Sequence, residues 1–190
     1  MNTNRQTIVR ARSMGVATLA LFVLTLVLEA VKSIYPGVLP LELFVIAIGV
    51  LGCVAYALFV YGLVPMGMAQ NSRIAKTGKL FAILSLVFGV VLTLITPPLV
   101  PVELIDMVVL PLMILTLFVF GILSIRISKD VKDFEPTLGT VAKRAALWNR
   151  IAGWLMVTLV LSPVGAVLSL IADYYMWRMQ GVFLAKEPAA

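Results

Sequence analysis

Charge is missing from this sequence over stretches long enough to cross a bilayer. No Asp, Glu, Lys or Arg falls between Leu43 and Ser72, Leu80 and Val102, Met107 and Ile125, or Ile151 and Ala172. A further run, Ser13 to Leu28, meets Glu29 and goes on apolar to Val31. A helix needs about 20 apolar residues, rising about 1.5 Å each, to cross about 30 Å of hydrocarbon. Inside lipid the backbone must satisfy its own polar groups, which long unalternating apolar runs do as helices. Composition agrees: 62% of residues are hydrophobic and 13% charged, with a mean hydropathy of +1.08. Soluble domains sit nearer half apolar and a quarter charged, and disordered chains are less hydrophobic still. The expectation is an all-α, polytopic membrane bundle forming a single membrane domain over 1–190. Five transmembrane helices are predicted, over 13–33, 41–64, 79–98, 104–126 and 150–175.

The loops predict the orientation. Arg5, Arg10 and Arg12 precede the first span. Arg73, Lys76 and Lys79 lie between the second and third. Arg126, Lys129, Lys132, Lys143, Arg144 and Arg150 lie between the fourth and fifth. Of the fifteen Lys and Arg, only Lys32, Arg178 and Lys186 fall elsewhere. The positive-inside rule then puts the N-terminus in the cytoplasm and the C-terminus outside, in a plasma (inner) membrane. Tyr174, Tyr175 and Trp177 would form an outer aromatic belt, with Trp148 at the inner end of the last span. The start of the chain has the outline of a signal peptide without a small-x-small cleavage site, so an uncleaved anchor is expected. No lipidation motif is present. The net charge of +6 belongs to these loops, so nucleic acid is not expected as a partner.

The outer loops, around Tyr35-Pro36-Gly37 and Pro97-Pro98, are turns. The inner loop 126–149 has room for more. Leu138, Val141, Ala145 and Trp148 recur at helical spacing, with Lys143 and Arg144 off that stripe. This predicts an interfacial amphipathic helix before the last span. It is either an anchor or a docking or lipid-contact surface made of Leu138, Val141, Lys143, Arg144 and Trp148.

Small residues let helices approach closely in lipid. Ala82, Ser85 and Gly89 form one such stripe, and Ser162, Gly165 and Ser169 another. Both are expected to be packing faces, within one chain or between copies. Pro111 and Pro163 should kink their helices. A shift of 77 residues aligns Arg73-Ile74-Ala75 with Arg150-Ile151-Ala152, and Leu84-Ser85 with Leu161-Ser162, a weak sign of a duplicated hairpin.

Rare residues narrow the chemistry. Histidine is absent, which removes the commonest general base and metal ligand. The single cysteine, Cys53, permits no intrachain disulfide and no thiolate cluster. No GxxxxGK[ST], HExxH or GxSxG occurs. No cofactor, metal or enzymatic activity is expected. The span centres offer only hydroxyls, Cys53 and Tyr56, which can bond their own backbone. Glu29, Glu103, Asp106 and Asp173 are expected at the outer boundary, where they could form an acidic vestibule.

The leading expectation is a non-catalytic subunit, scaffold or partner-binding factor of a membrane complex. The alternative is a small transporter or channel, homo-oligomeric, with an acidic outer vestibule. A third is a lipid enzyme using Glu103 or Asp106. Its partners would be the lipid bilayer and another membrane protein or a second copy of itself.

Overall fold

The computed structural model describes residues 3–96, 99–158 and 161–186, without the side chains of Thr3, Val102, Glu103, Ile105 and Asp106. All regular structure among them is helical: α1 (Thr3–Ile34), α2 (Leu39–Tyr61), α3 (Leu63–Ala69), α4 (Ile74–Leu94), α5 (Val102–Val131), α6 (Glu135–Leu138), α7 (Thr140–Val157) and α8 (Ser162–Lys186). A single 3₁₀ turn, Lys132–Phe134, joins α5 to α6.

Four stretches are long and apolar enough to cross a membrane: Asn4–Ile34, Leu39–Ala69, Ile74–Leu94 and Met107–Leu138. They contain the first two expected spans and overlap the third and fourth over 79–94 and 107–126; the expected turn at Pro97-Pro98 lies outside the described residues. Their outward faces are apolar, with residues such as Leu19, Leu51, Leu86 and Leu110 exposed. A multi-pass, membrane-embedded helical bundle follows.

Local chemistry sets the breaks. Pro65 has no N–H to offer the carbonyl one turn earlier, at Tyr61, and its ring crowds that carbonyl. The chain tightens there, with Gly62 N–H donating to the Phe59 carbonyl at 3.2 Å, and α3 starts afresh. Asn71, at φ +52°, then caps α3. Ser72 N–H reaches the Gly67 carbonyl at 2.9 Å and Asn71 N–H the Met68 carbonyl at 3.4 Å, the paired bonds of a Schellman ending. Gly139, at φ +61°, separates α6 from α7.

The four long stretches stand in an arc in chain order, α1 on α2, α2 on α4, and α4 on α5. The α2–α4 seam is tight: a Cβ on Gly89 would fall 2.7 Å from Cys53 Sγ, and one on Gly49 2.8 Å from Thr93 Cγ2. The arc's ends, α1 and α5, make no comparable contact with each other among the described residues.

The expected fifth span over 150–175 is not one helix. α7 and α8 pack antiparallel along their length. Gly165 lies against Ala152 and Met156, near the tip. Arg144 Nη1 reaches the Tyr175 hydroxyl at 3.4 Å further down. Lys186 Nζ donates to the Thr137 carbonyl at the base. Pro163 therefore does not kink a span; it sits in the first turn of α8, where its missing N–H costs nothing. Pro111, by contrast, lies inside the continuous α5. The turn also breaks the 77-residue register, since Leu84 is mid-helix in α4 and Leu161 precedes α8.

The hairpin is short. Val157, the last residue of α7, sits beside Gly121 of α5. That point is about 15 Å along the helix from Val131, at 1.5 Å per residue. α7 thus ends beside a residue only four positions inside the basic end of the apolar run 107–125, well short of that run's far end. The hairpin fills the arc only in the half where Ile8, Met66, Ile127, Phe134, Ala142 and Met179 form a dense core.

Folding α8 back gathers the charge. Arg178 and Lys186 join the other basic residues at one end of the bundle, where α1 begins and α8 ends. Lys32, 3.8 Å from Glu29, is left as the one Lys or Arg at the opposite end.

Candidate functional site

Above the dense half lies a cavity of about 730 Å³. All six long helices line it: Gly15, Thr18 and Phe22 from α1, Cys53 and Tyr56 from α2, Phe81, Ser85 and Gly89 from α4, Thr116, Leu117 and Phe120 from α5, Asn149 and Met156 from α7, and Ser169, Leu170, Asp173, Tyr174 and Trp177 from α8. It exists because the arc spans the full depth and the hairpin only half of it. α1 and α5, the ends of the arc, both line it and make no comparable contact with each other among the described residues.

Its lining is apolar with a few polar groups. Most of these already bond their own helix. Thr18 Oγ1 donates to the Met14 carbonyl at 2.8 Å, Ser85 Oγ to Phe81 at 2.7 Å and Thr116 Oγ1 to Leu112 at 2.7 Å. Asn149 Nδ2 donates to Ala145 at 2.9 Å. Such back-bonds leave the hydroxyl oxygens free to accept.

Asp173 is different. Its Oδ1 accepts the Tyr56 hydroxyl at 3.3 Å, across from α8 to α2. Among the described residues that line the cavity it is the only acidic one, and none is Lys or Arg. One turn below, Trp177 closes the floor. Its indole Nε1 donates to the Arg12 carbonyl at 3.1 Å, and the Arg12 guanidinium lies over its ring at 4.2 Å. Gln180 seals the level beneath, donating to the Phe59 carbonyl at 3.1 Å.

Asp173 therefore is not gathered with Glu29. It lies level with Tyr56, one turn above Trp177, which meets Gly15 alongside Phe59, so Glu29 is still about 15 Å further along α1 at 1.5 Å per residue. Glu29 stays at the rim with Lys32. Glu103 and Asp106 sit in the first turns of α5, and their side chains lie outside the described residues. The aromatic group Tyr174, Tyr175 and Trp177 belongs to the cavity floor and the α7 contact, not to an outer belt.

The expected amphipathic stripe is turned inward. Leu138 is buried, Val141 and Trp148 are half-buried, and Lys143 and Arg144 remain exposed. The stripe is the end of α6 and the start of α7 packing into the bundle, not a free helix lying in the interface. The small-residue stripes are taken up within the chain: Gly89 lies against Cys53 of α2 and Gly165 against α7, Ser85, Gly89 and Ser169 line the cavity, and Ala82 and Ser162 are buried. Among the described residues no three His, Cys, Asp or Glu come close enough to hold a metal ion.

No protein-family model, curated protein or solved structure matches the chain.

Proposed function

We propose that this is a multi-pass membrane protein that binds a membrane-soluble small molecule in the cavity between the arc and the half-depth hairpin. The observation that carries it is the cavity itself. Its volume lies in the range of drug-sized ligand sites, its walls are apolar, and a few polar groups converge at one end. Such a ligand enters sideways from lipid, between α1 and α5. The basic end faces the cytoplasm of a plasma (inner) membrane by the positive-inside rule. Asp173 and Tyr56 then lie in the cytoplasmic half of the bilayer. The protein is not an enzyme in this account. The cavity forms within one chain, so a transport role needs no homo-oligomer and no outer vestibule.

The test is photolabelling in nanodiscs with a neutral long-chain alcohol carrying a diazirine. Labels should concentrate on cavity residues such as Leu117, Phe120 and Leu170. Labels spread only over outward positions such as Met107 and Val167 would defeat the proposal.

A second role, as a non-catalytic subunit or scaffold, is favoured by the outer half of α5. Met107 and Leu110 are 74% and 63% exposed at the open end of the arc. A partner helix, or a second copy, would close the arc there. Gentle purification from native membranes, followed by mass determination, would reveal it as a stoichiometric second chain.

A further inference from the structure

Asp173 gives the cavity a property that a plain lipid groove lacks. Its one polar contact is the Tyr56 hydroxyl, and no basic side chain pairs with it among the described residues. A carboxylate at membrane depth without a counter-charge is costly, and such residues mark functional sites. Packing does not call for it, because a neutral amide could accept the same bond from Tyr56. Around it stand the rings of Tyr56, Phe59, Phe81, Phe120, Tyr174 and Trp177. Tyr174 and Trp177 stack with centroids 6.4 Å apart and planes at 23°. Ring faces attract cations, and such groups recognise ammonium-type ligands; one face of Trp177 already holds the Arg12 guanidinium at 4.2 Å, so the free ring faces are those of its neighbours, Tyr174 foremost.

We propose that the cavity takes a monovalent organic cation with an apolar body, its charge paired with Asp173 and its body among these rings. This rests on the cavity being a binding site, as proposed above. Calcium or magnesium would need about six oxygens and zinc about four ligands, and one carboxylate beside one phenol supplies too few. An anionic amphiphile would meet the carboxylate with no Lys or Arg in the lining to offset it.

Two tetraphenyl ions of closely similar shape and opposite charge separate these cases. Radiolabelled tetraphenylphosphonium and tetraphenylborate are titrated onto the unmodified protein in zwitterionic nanodiscs, against empty nanodiscs. Saturable binding of the phosphonium alone is expected. Asp173→Asn should weaken it about tenfold to hundredfold, the scale of losing a contact to a charged group. Tyr174→Leu should weaken it about two- to fivefold through the lost ring. Equal saturable binding of both ions, no saturable binding of the phosphonium, or an unchanged affinity in Asp173→Asn would overturn the proposal. The comparison of the two ions needs no variant, so it decides even if Asp173→Asn fails to fold. If the neutral alcohol still labels the cavity while the phosphonium fails, the cation proposal falls and the binding site stands. If both fail, the site itself falls.

Discussion

The Tyr56 hydroxyl donates to Asp173 Oδ1 at 3.3 Å, bonding α2 to a helix more than a hundred residues later in the chain. This bond fixes the depth of the carboxylate. Side-chain hydrogen bonds between membrane helices contribute modestly, because the unfolded state in lipid also finds partners. A double-mutant cycle with Tyr56→Phe and Asp173→Ala, read by unfolding in mixed micelles, should give a coupling of about 0.5–1.5 kcal/mol. A coupling near zero would mean that the two groups do not bond.

The α5–α7 seam is a backbone contact. A Cβ on Gly153 would fall 2.6 Å from the Gly121 carbonyl oxygen, and one on Gly121 would fall 2.8 Å from that of Gly153. Gly153→Ala should therefore cost about 1–3 kcal/mol, as overpacking does. Gly52 is the control, since its nearest neighbour is Leu21 Cβ at 3.9 Å. Gly52→Ala should be neutral or slightly stabilising, because Ala suits a helix better than Gly. Equal losses in the two variants would contradict the seam.

Cys53 Sγ lies 3.8 Å from Thr93 Oγ1, between α2 and α4 of one chain. Oxidation of Thr93→Cys with iodine should then consume both thiols and leave a monomer on a non-reducing gel. A crosslinked dimer would instead place the small-residue stripe of α4 between copies.

Much of the fold was legible because four apolar runs are each long enough for a complete crossing. Their capping residues and proline breaks only adjust the ends, as Pro65 does at Tyr61. The last run misled because its length and hydropathy match a span. Two local signs point the other way. Ser162-Pro163 is a helix start, with a capping residue type followed by proline at the first turn. Arg178 and Lys186 are also basic residues that five crossings would strand on the wrong side. Asp173 follows from the same error. Counted along a straight helix it reaches the far boundary, whereas the fold-back returns it to the level of Tyr56. Tyr56 stood among the mid-span polar residues, yet nothing near it in sequence signals a partner on α8. The stripe Leu138, Val141 and Trp148 was legible as amphipathic, but what covers its apolar side is a tertiary fact.

The half-depth hairpin decides the rest, since the cavity and the depth of Asp173 both depend on it. Single cysteines at Lys76, Ala185 and Tyr35, in a Cys53→Ala background, can be probed with a membrane-impermeant maleimide before and after permeabilisation. Ala185→Cys should react from the same side as Lys76→Cys, and Tyr35→Cys from the opposite side. Ala185→Cys reacting together with Tyr35→Cys would mean a fifth full crossing, with Asp173 at the far boundary and no cavity beneath it.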